Sequence, residues 1–346
     1  MKEKNKVIIS WLNLGVILIL LMVAVGGIVR LNNSGLSIVE WKPIRGVIPP
    51  LSSKEWQEEF DAYKKIPEYK IEHNHFKMND FKEIYYLEYF HRLVARIVGF
   101  VFLIPFLFFL LRGYFKDKIL LLKVSIIFIV AAFQAWLGWY MVSSGLLTGV
   151  DVSHYRLAVH LFVATILVSF VFWTALELKY KDVTIEIKEE VSLFKEGLVL
   201  LILTTFQLIY GAFMAGLRAG YYYTNYPKMG GVWFPKGASD AFKEKGISSF
   251  FEDPSMVHFI HRWFALILVI AIFYFFFKYK NKIDNKKISK ALHSMIFIIS
   301  LQFLLGIITL ITKINISIAI LHQVNGIVLF LSLIYLLFFS LKIKKI

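Results

Sequence analysis

Apolar residues gather into eight long blocks, with approximate cores at 7–29, 93–111, 119–141, 155–176, 194–217, 257–277, 291–312 and 316–341. A helix needs about 20 apolar residues to cross a bilayer, and each block comes close to that. The pattern therefore predicts eight membrane-spanning helices and an all-α integral membrane protein. The second block is the shortest, and its helix is expected to begin near Ile84 with an amphipathic first turn. The first block lacks a small-residue cleavage site and reads as a retained span rather than a removed signal. The polar stretches alternate in character. Lys2–Lys6, Arg112–Lys118, Lys179–Lys195, Lys278–Lys290 and Lys342–Lys345 are short and basic, which keeps such loops in the cytoplasm. The alternate set is a long segment 30–83, a short one around Asp151, a second long one 218–254 and a short one around Lys313. Both termini are then cytoplasmic.

Composition acts mainly by exclusion. Hydrophobic residues make up 58% and charged residues 18%, against roughly 45–50% and about 25% in soluble domains. A soluble domain and a disordered chain are both poor descriptions. The net charge of +15 raises the question of nucleic acid. The excess Lys lies between apolar blocks, so membrane topology accounts for it and no nucleic-acid partner is implied. There is no Cys, which removes disulfides, Cys-ligated zinc, iron–sulfur clusters and thiol nucleophiles. Any metal must be held by His, Met or carboxylate.

The chain also repeats itself. A helix ending in small residues and Arg occurs as Gly26-Gly27-Ile28-Val29-Arg30 and as Ala215-Gly216-Leu217-Arg218. A long outer segment follows each, and the next helix opens with His91-Arg92 or His261-Arg262. The third helices match as Gln134-Ala135-Trp136-Leu137-Gly138 and Gln302-Phe303-Leu304-Leu305-Gly306, and the fourth carry His160 and His322. This is a duplicated four-helix unit. Four is even, so both copies run the same way through the membrane, related by an axis along its normal.

His91, His160, His261 and His322 each fall within the first two turns of an even-numbered helix, at similar depth near the outer face. A single intramembrane His serves as readily for interhelical hydrogen bonding. Two matched pairs at one depth point instead to axial ligation of heme iron, two imidazoles per bundle. Zinc would want further ligands, and copper has no supporting Met cluster. Arg92 and Arg262, like Arg30 and Arg218, either pair with heme propionates or snorkel to lipid phosphates. His258 shares a helix face with His261 and would orient a propionate or compete for iron. His73 and His75 are expected in solvent, His154 in an outer loop, and His293 at the cytoplasmic end of the seventh helix. Symmetry breaks at Glu88, three residues before His91, where the other half has His258. A helix-dipole role suits Glu83. Glu88, present in one half only, is a candidate for proton or charge handling beside an iron-bound ring.

The sequence resembles the heme A synthases of the mitochondrial and alphaproteobacterial type over nearly its whole length. The resemblance is carried by Gly35-Leu36-Ser37-Ile38-Val39-Glu40-Trp41-Lys42-Pro43, Gly46-Val47-Ile48-Pro49-Pro50, Trp56, Phe60, Tyr63 and Pro67-Glu68-Tyr69-Lys70. It continues through Glu88-Tyr89-Phe90-His91-Arg92, Gln134 with Leu137-Gly138, Gln207 with Gly211-Ala212-Phe213, and His322-Gln323. It implies two pseudo-symmetric four-helix bundles, residues 1–180 with outer segment 30–83 and residues 181–346. It implies oxidation of the C8 methyl group of heme O to a formyl group, giving heme A for cytochrome c oxidase. His261 and His322 would hold a resident heme b, with Arg262 and His258 beside it. His91 and His160, with Arg92, would hold the substrate heme, and Glu88 would be required for its oxidation. Glu88 would take a proton or stabilise a cationic methylene carbon. Some relatives carry Cys pairs in outer loops, and thiol steps proposed for them have no counterpart here.

Expected partners are the lipid bilayer, heme O, the enzyme that makes heme O and the cytochrome c oxidase assembly apparatus. The absence of an Arg-rich, Ser-rich presequence favours a bacterial inner membrane. Two other classes compete. A di-heme b-type electron carrier would need neither Glu88 nor the long first outer segment. A transporter built on parallel repeats would use the His as a proton or metal path and hold no chromophore.

Overall fold

The computed structural model describes residues 3–41, 45–187 and 192–345. Lys2, the Lys42-Pro43 end of the first outer motif and residues 188–191 of the third basic loop lie outside the described residues. Among the described residues, twelve α-helices follow in order: α1 (Glu3–Leu31), α2 (Ser53–Tyr63), α3 (Pro67–Ile71), α4 (Met78–Leu111), α5 (Lys118–Thr148), α6 (His154–Lys179), α7 (Leu193–Gly216), α8 (Lys236–Lys245), α9 (Ser249–Glu252), α10 (Pro254–Tyr279), α11 (Lys286–Ile311) and α12 (Ile316–Ser340). Eight of them, α1, α4, α5, α6, α7, α10, α11 and α12, are long and apolar enough to cross a membrane. The protein is an all-α, multi-pass membrane protein. Large side chains such as Leu111, Ile129 and Phe297 stand exposed on these helices, as a lipid solvent requires.

Polar side chains set the helix starts. Asp117, Asp253, Asn285 and Asn315 accept from the first free backbone N–H groups of α5, α10, α11 and α12, which otherwise lack partners. Pro254 opens α10, where its missing N–H costs nothing. By internal packing the chain divides into two units, residues 17–164 and residues 1–16 with 165–346.

In the unit of residues 17–164, α4 starts at Met78, ahead of the Ile84 start expected from hydropathy. Its added turns carry a buried apolar stripe. Phe81, Ile84 and Tyr85 pack with Leu36, Ile38, Trp56, Phe60, Tyr63 and Ile66 into a small core of their own. Phe81 stacks on Phe60 at 5.0 Å and on Tyr63 at 5.2 Å. Ser52 and Glu55 form a reciprocal cap on α2. The outer segment is therefore a folded element rather than a loop, and hydropathy misses it because a water-facing core needs only one apolar helix stripe.

In the other unit, α11 packs along α12, and α7 packs against α10 and α12. Leu200, Leu268, Ile272, Met295, Ile299 and Leu333 form part of the core. Gly197 brings α7 close to α12, because a Cβ there would lie 3.1 Å from Leu337. On the basic side, β1 (Ile185–Ile187) pairs in parallel with β2 (Ile343–Lys345), Ile185 opposite Ile343. The 218–254 segment carries α8 and α9, both packed on α10.

Candidate functional site

In the unit of residues 17–164, His91 is carried by α4 and His160 by α6, close enough to interact electrostatically. Each ring rests on a glycine of a different helix. A Cβ on Gly26 of α1 would stand 3.5 Å from His91 Nε2, and one on Gly138 of α5 would stand 3.3 Å from His160 Cε1. The amide of Gln134 donates to the His160 carbonyl at 3.0 Å and lies 3.2 Å from its ring Nδ1.

Glu88 is buried, 3% exposed, one turn before Arg92. Its Oε2 accepts from Ser37 Oγ at 2.7 Å and Ile38 N at 2.9 Å. Its Oε1 accepts from Arg92 Nε at 3.1 Å and Nη2 at 2.6 Å. Arg92 Nη2 also donates to the Ile38 carbonyl at 3.0 Å. Four donor atoms converge on this carboxylate. It also fastens the Ser37-Ile38 stretch to α4. Arg30 pairs with Asp151 at 3.3 Å.

The other unit repeats the plan. His261 on α10 and His322 on α12 interact electrostatically. A Cβ on Gly211 of α7 would lie 3.5 Å from His261 Cε1, and one on Gly306 of α11 would lie 3.0 Å from His322 Cε1. Gln207 donates to the His261 carbonyl at 3.0 Å, with its amide 3.1 Å from Nδ1. His322 Nδ1 lies 3.1 Å from the Gln302 carbonyl. That acceptor fixes the Nδ1–H tautomer and leaves the Nε2 lone pair for a metal. Gln302 is itself held, since Asn325 Nδ2 donates to its Oε1 at 2.9 Å. His258 is fully buried and takes the place of Glu88, its Nε2 accepting from Arg262 Nε at 2.8 Å. Arg262 also donates to the Tyr223 and Asn225 carbonyls at 2.6 and 2.8 Å.

Several of these roles were invisible in the sequence. Gln134 and Gln302 align in the repeat, yet Gln134 works through its amide and Gln302 through its backbone carbonyl. The partner that does what Gln134 does is Gln207, 54 residues from its histidine, and no spacing rule links them. Gly26 stood in a small-residue run, Gly138 and Gly306 in the matched third helices and Gly211 in a family motif, none with an assigned job. His73, expected in solvent, is 9% exposed, because Tyr63 Oη meets its Nδ1 at 2.6 Å and Phe76 stacks on its ring at 4.1 Å. His75 is exposed, and His293 is exposed near the start of α11. His154 begins α6 rather than lying in a loop.

The donor set fits heme. Two imidazoles from facing helices match bis-His iron, and Gly138 and Gly306 let the rings of His160 and His322 pack closer than a Cβ would comfortably allow. Among the described residues, no cluster of three or more His, Asp or Glu offers a different metal site. Fold and site together define a polytopic membrane protein with a histidine pair in each of its two units. The sequence profile of the cytochrome oxidase assembly protein family matches residues 9–334. The chain is 39% identical to the heme A synthase of Flavobacterium johnsoniae, over 97% of this chain and 98% of that one. It is 38% identical to that of Wolbachia pipientis, over 96% and 92%. It is 40% identical to that of Pelagibacter ubique, over 93% of each. The chain belongs to the heme A synthase family of cytochrome oxidase assembly proteins.

Proposed function

We propose that this protein makes heme A by oxidising the C8 methyl group of heme O to a formyl group, supplying cytochrome c oxidase. The observation that carries the reading is the asymmetry between two otherwise matched histidine pairs: a buried carboxylate stands beside His91, and a neutral imidazole stands in its place beside His261. A reacting site needs a charged or proton-handling group, and an electron-transfer site does not. In this reading residues 1–180 bind the substrate, with His91 and His160 taking its iron and Arg92 facing its propionates. Residues 181–346 hold heme b between His261 and His322, with Arg262 and His258 beside it. Heme b, when bound, supplies one-electron transfer. Glu88 places negative charge where positive charge develops at the methyl carbon, or accepts a proton at Oε1 or Oε2. Its four donors fix its position before the reaction, which is how a preorganised charge stabilises a transition state. The Ser37-Ile38 stretch, tied to Glu88 and Arg92, keeps water from that carboxylate. The basic loops favour both termini in the cytoplasm of a bacterial cell and both sites near the outer face of the inner membrane. The enzyme that makes heme O would be its upstream partner.

The test is heme extraction and chromatographic identification from wild type, His91→Ala and His261→Ala. Loss of heme b with His261 and of heme O or A with His91 is the expected result. Heme b alone at both sites would mean a di-heme electron carrier instead.

A further inference from the structure

Three titratable side chains in the first outer segment have no part in the chemistry above. Tyr63 ends α2, Glu68 lies in α3 and His73 follows it; they are 0%, 2% and 9% exposed. Tyr63 Oη donates to Glu68 Oε2 at 2.9 Å and lies 2.6 Å from His73 Nδ1. A carboxyl, a phenol and an imidazole thus form one hydrogen-bonded chain.

The two ends of the chain differ. Tyr63 is sealed in the aromatic core, between Phe81 and Tyr69. His73 sits at the rim, followed directly by the exposed Asn74 and His75. Glu68 and Tyr63 are both within electrostatic reach of Glu88, and Glu68 also of Asp151 and of Glu72 on its own turn. Ser37, which donates to Glu88, lies between Leu36 and Ile38, and both belong to the core that encloses Tyr63. The Glu68–Tyr63 part of the chain therefore lies in the neighbourhood of Glu88, and the His73 end lies at the rim.

Holding these turns together would not need a carboxyl. Burying one is costly unless it stays protonated. Burial, with the like charges of Glu88, Asp151 and Glu72, pushes Glu68 up to about 8 against the opposing Tyr63 hydrogen bond. It also pushes the Tyr63 phenol up. A protonated Glu68 beside a phenol and an imidazole is one proton shift from a second arrangement of similar geometry.

We propose that Glu68, Tyr63 and His73 form a proton relay through the outer segment, exchanging protons between the Glu88 side of the N-terminal half and outer solvent. In one step, once the Tyr63 hydroxyl has turned from Glu68 to His73, the Glu68 O–H bond breaks as an O–H bond forms at Tyr63 Oη. The original Tyr63 O–H bond breaks as an N–H bond forms at His73 Nδ1. No electrons move, and Glu68 is left as carboxylate and His73 as imidazolium. This rests on the reading that a methyl group is oxidised in the N-terminal half, because that oxidation releases protons there.

The test uses the full chain in membranes, with heme A formation followed in H2O and D2O for wild type, Tyr63→Phe and His73→Ala. Both variants should keep heme b and bound heme O yet form heme A at least tenfold more slowly. Tyr63→Phe should show a larger solvent isotope effect than wild type. His73→Ala should be restored in part by added imidazole, which would leave wild type unchanged. Wild-type rates in both variants would overturn the relay, as would loss of bound heme O in proportion to activity with no imidazole rescue. A wild type that makes no heme A would instead sink the functional reading, so the two failures are separable.

Discussion

Replacing Gly306 with Ala places a methyl carbon 3.0 Å from His322 Cε1 and 3.5 Å from Nδ1. Carbon atoms prefer roughly 3.5–4.0 Å, so the ring must retreat by about half an ångström. It is not free to do so, because Nδ1 sits 3.1 Å from the Gln302 carbonyl. A shift of that size would take the bond to about 3.6 Å, outside hydrogen-bonding range. Overpacking costs about 1–3 kcal/mol and the lost hydrogen bond about 0.5–1.5 kcal/mol. The helix gains back about 1 kcal/mol from Ala over Gly. The net is about 0.5–3.5 kcal/mol, or roughly 2- to 300-fold weaker retention of heme b at about 1.4 kcal/mol per factor of ten. Gly211→Ala is the graded comparison, since its Cβ would sit at an ordinary 3.5 Å from His261 Cε1. It should weaken heme b by less than tenfold. Gly99→Ala, with no neighbour within 4 Å, should leave heme b unchanged. Heme b per mole of protein and the absorption spectrum, read during titration with a competing apo-heme-binding protein, report all three. Wild-type heme retention in Gly306→Ala, or a larger loss in Gly211→Ala, would refute the steric argument.

Glu88→Ala should leave heme bound but abolish heme A formation; normal heme A output from this variant would remove Glu88 from the chemistry. The same change leaves the Ile38 N–H without its acceptor, while Ser37 keeps the Ser34 and Ile84 carbonyls and Arg92 the Ile38 carbonyl; at about 1–3 kcal/mol for a buried unsatisfied group, the outer segment should become more protease-sensitive. Glu68 carries a folded pKa near 8 against an ordinary 4.5. The native state therefore holds the proton more tightly, and the stability this gives is full below pH 4.5 and lost as pH rises toward 8. Hydrogen exchange in residues 53–77 should quicken over that window, and Glu68→Gln should flatten the dependence; an unchanged slope would contradict the burial of a protonated carboxyl. Asn325→Ala frees the Gln302 side chain but not its carbonyl, so heme b affinity should fall by less than about tenfold, as one neutral hydrogen bond is worth about 1 kcal/mol.

The Glu88 site and the Tyr63 chain give the outer segment two attachments to α4, one ionic and one aromatic. The ionic attachment ties Ser37 and Ile38 to Glu88 and Arg92. The aromatic one stacks Phe60 and Tyr63 on Phe81. A segment held at both points shields the Glu88 carboxylate from outer water, which strengthens every electrostatic interaction there.

The eight spans, the duplication, the four matched histidines and the Glu88 asymmetry were all legible in the chain itself. Lipid demands an unbroken apolar run for each helix, and a repeated helix-register position is a purely local property. What a span does at its ends was not legible. The Met78 start of α4 depends on Trp56 and Phe60 arriving from another element. The burial of His73 depends on Tyr63, ten residues earlier, folding back over it. The pairing of Gln207 with His261, and of each histidine with a glycine on a neighbouring helix, spans tens of residues and follows only from helix packing. Sequence fixes what one helix presents to its surroundings, because that depends on local periodicity. Only tertiary structure decides which side chain fills the facing space, because close packing across helices has no signature along the chain.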